Sequence, residues 1–396
     1  MFVCRLGARR QIHYRLNLPP VAAYLGRLAG QALHRVPHGD TVGDLVACLV
    51  VEEVAALRTE LVRSLLVRRQ LERFRLLGTD YLVTLDGTGH LALGDSPSAF
   101  TEGCLTQTLP DGRTLYYRLV LEAKLVTPSG LALSIETEFI ENVPREGRSE
   151  KDYKQDCELK GAYRLLPRLK EQFPELPICL LLDGLYAGEP LLALCEKHRW
   201  HFIIVLQEGS LPSVTAEFHT LIAHRPENTR IHYTPGARQV IRWVGDIDYQ
   251  GRTLHVLECV ETPNDGSKPT TWLWITNIPI TRENAVALAN LGGRQRWRTE
   301  NEGFNVQKNG GYAMEHAYAK DPTAAKNFYL LLQIAHLLMQ LFECRVGGKK
   351  DLQTRLGSLR NLAADLLEAL RTQPLPDPEE LEAFLATPIQ VRLDTS

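Results

Sequence analysis

The chain has 396 residues, 44% of them hydrophobic and 23% charged, with a formal net charge of -2, so it can bury a large core as two domains or as one with a sizeable insertion. A charge this close to zero excludes a uniformly basic surface, and any phosphate-bearing partner would have to dock on a local patch. The eight cysteines form no CxxC pair, and no leader or membrane-length apolar run stands out, which excludes a zinc site, a disulfide framework and a membrane-spanning chain and predicts a cytoplasmic protein.

Residues 40–77 open on Asp40 or Thr41 as an N-cap and continue as an apolar-periodic helix carrying Arg58, Arg63, Arg68, Arg69, Arg73 and Arg75. After Gly78 the run YLVTL predicts a buried strand ending at Asp86. From Arg113 to Glu141 apolar and polar residues alternate around Thr127-Pro128-Ser129-Gly130, the pattern of a β-hairpin. A helix from Asp152 to Gln172 leads to the strand ICLLL, closed by Asp183, and a helix from Glu189 to His198 leads to the strand HFIIVLQ. Strand, hairpin, helix, strand, helix, strand is the order of an α/β protein, a mixed sheet with helices across it.

From about residue 210 to 280 short β-rich pieces alternate with Pro, Gly, Asn and Asp, which predicts a small β domain inserted into the α/β core. Thr281 then caps a helix, and the arginine-rich helical segment carrying Glu300 follows. Residues 323–345 read as a core helix, and the tail beyond Lys350 as a charged amphipathic helix followed by a Pro-rich stretch.

The functional signal lies in three carboxylates: Asp86 in YLVTLDGTG, Asp183 in ICLLLDGLYAG and Glu300 in RQRWRTENEGFNVQKN. A lone aspartate after a strand is ordinarily a turn former or an N-cap, and Gly87 and Gly184 suit that role. Ligands of open α/β sheets, however, gather at strand ends. Two such aspartates with a glutamate from a helix are what holds two divalent cations over a phosphodiester, so the set points to a nuclease or strand-transfer enzyme. Arg296, Glu300, Phe304 and Lys308 recur every fourth residue along one helical face, where ion pairs alone would contribute only about 0.2–0.5 kcal/mol each. Glu302 points to roughly the opposite side and ranks below Glu300. A glycosidase built on paired carboxylates is the rival chemistry; the arginines around Glu300 and the 7% aromatic content disfavour it.

Taken in order, these motifs resemble the IS4-like insertion-sequence group of DDE transposases, over roughly residues 70–345. The resemblance implies an RNase H-like mixed sheet flanked by helices, with a β-rich insertion domain and helical N- and C-terminal segments. It divides the chain into a helical N-terminal region with possible DNA contact (1–78), a first core part (79–209), the insertion (210–280), a second core part carrying the glutamate (281–345) and a helical tail (346–396). It implies Asp86, Asp183 and Glu300 as catalytic ligands of two Mg²⁺ ions, with Mn²⁺ able to substitute, and metal-dependent cleavage at element ends followed by strand transfer into target DNA. It also implies double-stranded DNA as partner, contacted by Arg296, Arg298, Lys308 and Trp272, and a homodimer in the DNA complex of a prokaryotic, nucleoid-associated protein.

The chain departs from the family pattern in three places. Gly293 stands where a tyrosine is usual, and Gln307 stands where a lysine is usual. Lys308 comes one residue later, consistent with a one-residue expansion at Asn301-Glu302-Gly303. The sequence ahead of the first motif leaves little room for a full end-recognition domain. A non-catalytic DNA-binding derivative is therefore the alternative. Trp272 matches a tryptophan that stacks on a flipped-out base, although alternation puts Trp272 and Trp274 on one strand face, where either could fill a core.

Overall fold

The computed structural model describes residues 1–98, 101–142, 155–207, 209–345, 354–373, 379–380 and 382–383. Among them, ten strands form a single sheet: β1 (Tyr81–Gly94), β2 (Leu105–Thr108), β3 (Thr114–Val126), β4 (Ala132–Ile140), β5 (Ile178–Leu182), β6 (His201–Val205), β7 (Thr229–Thr234), β8 (Ala237–Tyr249), β9 (Arg252–Pro263) and β10 (Thr270–Thr276). Their order is β2-β3-β1-β5-β6-β10-β9-β8-β7, with β4 also paired to β3. The β1–β5 and β5–β6 pairs are parallel, while β1–β3 and β6–β10 are antiparallel, so the protein is mixed α/β. Helices α1 (Pro19–Leu28), α2 (Gly39–Cys48) and α3 (Val51–Val67) precede the sheet; α4 (Glu158–Gln172) and α5 (Glu189–His198) make its crossovers, and α6 (Pro212–Ile222) packs on β8. After the strands come α7 (Ala285–Ala287), α8 (Val306–Asn309), α9 (Pro322–Arg345) and α10 (Leu359–Thr372).

β5 is apolar throughout and buried along its length, as a central parallel strand covered on both faces must be. Strand alternation divides what it covers. Val83, Leu85, Leu180, Leu182 and Ile204 pack with Leu165, Leu169 and Leu192 of α4 and α5. Leu82, Cys179, Leu181 and Ile203 pack on the other face with Ala285, Leu288 and Ala289. Each fully buried leucine or isoleucine contributes about 1.5–3 kcal/mol, which holds the strand register firmly. By the same alternation Asp86 follows Leu82 and Thr84, and Asp183 follows Leu181, onto the second face.

Four expectations are corrected. The strand through Asp86 does not end there: β3 stays paired beside it from Leu82↔Val126 to Gly94↔Tyr116, so β1 runs on to Gly94. The helix read over residues 40–77 is two helices, with His38 rather than Asp40 or Thr41 at the first N-cap. Asn327 of α9 donates to the carbonyls of Val46 (2.9 Å) and Leu49 (2.8 Å), a tertiary contact that satisfies the broken end of α2. The β-rich insertion does not stand apart, because β10 pairs with β6 through Trp274↔Val205 and continues the core sheet. That pairing covers edges on both strands that would otherwise leave backbone amides open. The helix expected from Asp152 begins at Glu158; residues 151–154 and the Pro-rich stretch at 374–378 lie outside the described residues. Among the described residues no helix is long and apolar enough to cross a membrane.

Candidate functional site

The pairing Thr84↔Leu181 between parallel β1 and β5 brings Asp86, two residues on in β1, beside Asp183, which directly follows the end of β5. Glu300 approaches from the second face. Its segment, Thr299–Asn305, is a π-helix that runs into α8. The wider turn holds one residue more than an α-turn would, and such turns occur frequently at functional sites. It lies where the motif comparison placed a one-residue expansion. The wider winding also breaks the expected every-fourth-residue stripe, since Phe304 is buried in the core while Glu300 is exposed. The segment is pinned by the hydroxyl of Thr299, next to Glu300, against that of Thr84 on β1, both fully buried.

The three carboxylates share one electrostatic environment. Burial pushes the Asp86 carboxyl up to about 6; Arg296 opposes that rise, and the charges of Glu300 and Asp183 add to it. Asp86 Oδ1 accepts from the Gly87 N–H at 3.1 Å, and its Oδ2 lies 3.9 Å from Arg296 Nη1. Asp183 accepts from the Leu185 N–H at 2.9 Å, so it also performs the N-capping role that its sequence context suggested.

A fourth carboxylate joins them that the sequence reading missed. Glu158, in the first turn of α4, lies over Gly87 so closely that a Cβ there would meet its Oε1 at 2.1 Å. Burial pushes the Glu158 carboxyl up, and the charges of Asp86 and Asp183 push it further. Nearby Tyr186 is buried with no partner for its hydroxyl, and burial followed by the fields of Glu158, Asp183 and Asp86 pushes its phenol up. The only sequence signal for Glu158 was its place in the first turn of a helix, where acids are common for the dipole alone.

The basic residues named from sequence divide into two groups. Arg296 serves as counter-charge to Asp86, and Lys308 pairs with exposed Glu315 at 3.0 Å. Arg298 is bound into the protein, donating to Gln295 (2.7 Å), Glu302 (3.0 Å) and the Pro128 carbonyl (2.8 Å). It braces the motif against the β3–β4 turn, and Glu302 belongs to that brace. Gln307 is buried and joined to Gln333 and His336, with Lys124 of β3 and Glu122 in the same hydrogen-bonded core beneath Asp86. Lys308, not Gln307, is therefore the residue of that pair that reaches the surface.

Trp272 is half-buried, with its ring parallel to that of Trp274 (interplanar angle 3°) and Arg294 4.5 Å from its centroid. Arg294 is held in turn by Glu261. Trp274 lies so close to Gly293 that a Cβ there would meet its indole at 2.5 Å. No larger side chain fits at Gly293 without displacing Trp274.

Among the described residues, no group of three or more His, Cys, Asp or Glu side chains is placed to hold a metal ion as it stands. The donor chemistry nevertheless suits a hard divalent cation. Asp86, Asp183, Glu300 and Glu158 offer only oxygen, and the charge gathered on them is opposed at the surface by Arg296 alone of the basic residues named from sequence. Compared with protein-family models and with curated proteins, the chain matches none.

Proposed function

We propose that this protein is a DDE-type transposase with an RNase H-like catalytic core, which cuts DNA at the ends of an insertion element and joins the freed ends to target DNA. The observation that carries the reading is the approach of Asp86, in β1, and Asp183, at the end of the adjacent parallel β5, with the charges of Asp183 and Glu300 both felt at Asp86. Asp86, Asp183 and Glu300 would hold Mg²⁺ or Mn²⁺, with Glu158 beside them, and the ions would supply an activated water or 3′-hydroxyl and a stabilised leaving oxygen. The parallel strands keep the two aspartates in place through the buried register behind them. The Thr84–Thr299 contact sets how far Glu300 stands from them. Arg296 neutralises part of the charge on Asp86 in the free protein and turns to a DNA phosphate when that charge is met otherwise. Lys308 offers a second basic contact one helical turn and more beyond. The 210–280 segment, continuous with the core sheet, presents its strands to the same DNA.

A second reading, a DNA-binding derivative that no longer cuts, is favoured by Gly293, which stands where the resembling family usually has a tyrosine. Nicking of supercoiled DNA carrying the sequences that flank this reading frame separates the two. Mg²⁺- or Mn²⁺-dependent nicks are expected from the wild type, reduced by several decades in Asp86→Asn, Asp183→Asn and Glu300→Gln and retained in Glu302→Gln. A wild type that binds this DNA and never nicks it rejects the enzyme. A Glu302→Gln variant that is dead while Glu300→Gln still cuts rejects the site assignment.

A further inference from the structure

A cleft away from the carboxylate residues opens where the N-terminal segment, the loop after α8 and helix α10 meet. It encloses about 430 Å³ and is lined by Arg5, Gln11, Arg15 and Arg360 with no Asp or Glu. Arg5 is held in place: its Nη1 donates to the Gly310 carbonyl at 2.6 Å, and its guanidinium lies 5.0 Å from the Tyr312 ring centroid. Its Nε and Nη2 are buried and have no partner. Arg15 and Arg360, on other walls of the cleft, are exposed. Neither makes a hydrogen bond or an ion pair among the described residues.

Burying guanidinium N–H groups without an acceptor is unfavourable, and gathering three like charges around them is more so. Both costs vanish when an anion with several acceptor oxygens enters. The guanidinium plane, with Nε and one Nη free on the same side, is the geometry that matches two oxygens of a phosphate.

We propose that this cleft binds a phosphate of a nucleic-acid backbone, gripped by Arg5 and flanked by Arg15 and Arg360. The inference rests on the nucleic-acid part of the proposed function and extends it to a contact shared by the segment around Arg5 and helix α10. Because Gly310 closes α8, a strand seated here also meets the end of the helical segment that carries Glu300.

The test uses the full chain and a labelled random-sequence duplex, with binding followed over a range of salt concentrations. The double variant Arg15→Ala/Arg360→Ala changes only exposed side chains. It should bind about tenfold more weakly, and each phosphate that the variant no longer neutralises should flatten the slope of log affinity against log salt by about 0.9. The double lysine variant at the same positions should recover most of the affinity, since charge survives the exchange. Unchanged affinity and slope in the alanine variant overturn the proposal. So does a result in which inorganic phosphate protects the wild type but not the variant against heat while duplex binding is equal in both, because the cleft would then serve a small phosphate-bearing ligand. The two readings fail separately: a wild type that binds no duplex removes the proposed function, whereas one that binds and nicks like the alanine variant removes only this cleft.

Discussion

Asp86→Asn should make the metal-free protein more stable at neutral pH, although it removes a charge from the centre of the site. Burial and the neighbouring carboxylates raise the Asp86 carboxyl from an ordinary 3.8 to about 6, so the folded chain binds that proton more tightly than the unfolded chain does. The sign is the reverse of a salt-bridged aspartate: stability is highest below pH 4, falls as pH rises through 6, and stays low above. A rise of about 2 pKa units at 1.36 kcal/mol each is a deficit of about 3 kcal/mol. The group is shielded enough for that conversion, its side chain being 21% exposed. With an unfolding entropy of about 2.1 cal/mol/K per residue, the deficit corresponds to a Tm change of about 4 °C for this chain. Asparagine keeps the volume and the acceptor for the Gly87 N–H. Thermal unfolding in chelator should therefore show Asp86→Asn above the wild type by up to that amount at pH 7.5 and level with it at pH 4. Added Mn²⁺ should raise the wild type and leave the variant where it was. A variant less stable than the wild type at pH 7.5 would refute the argument that this carboxylate sits in an unfavourable field.

Glu158→Gln should act in the same direction, raising Tm in chelator at neutral pH while cutting Mg²⁺-dependent nicking at least tenfold; full nicking activity would place Glu158 outside the site. Gly293→Tyr, which restores the residue usual in the resembling family, should destabilise by about 1–3 kcal/mol or more in denaturant titrations, because it collides with Trp274. Adding Trp274→Ala should recover part of that loss, and strict additivity would show that the two do not compete for one space. Trp272→Ala should lower stability by about 2 kcal/mol through weaker packing on Trp274 and Arg294. An unchanged Tm with a selective failure of strand joining would instead mark a base-stacking role.

The parts of this molecule legible from sequence were those written in local periodicity. ICLLL and the alternating hairpin read directly as β5, β3 and β4, and the order of elements led to a mixed α/β sheet. Asp86 and Asp183 could be paired because both follow apolar runs, and a side-chain period of two carries such runs to the same face. What sequence could not show depended on long-range contacts. The break between α2 and α3 is set by Asn327, hundreds of residues away. Arg298 carries the composition of a DNA contact and the bonding of an internal brace, a difference made by the carbonyl of Pro128. The π-turn was visible only as a lysine out of step with a family pattern. Glu158 was hidden because a helix-initial glutamate has an adequate local explanation, and nothing nearby in sequence announces the gap it enters.

That gap is Gly87. In sequence it passes for the turn residue of LDGTG, yet it lies within β1, paired with Leu121. Its side of the strand faces α4, opposite to Asp86, so the missing side chain is a window through which a carboxylate from one layer reaches those of the other. The three nearest atoms that a methyl group there would meet all belong to the side chain of Glu158. Gly87→Ala should therefore fold while displacing Glu158, raising Tm in chelator at neutral pH as Glu158→Gln does and lowering Mg²⁺-dependent nicking by a similar factor. In a selection for activity, a position with no chemistry of its own would prove as intolerant as the glutamate that it admits.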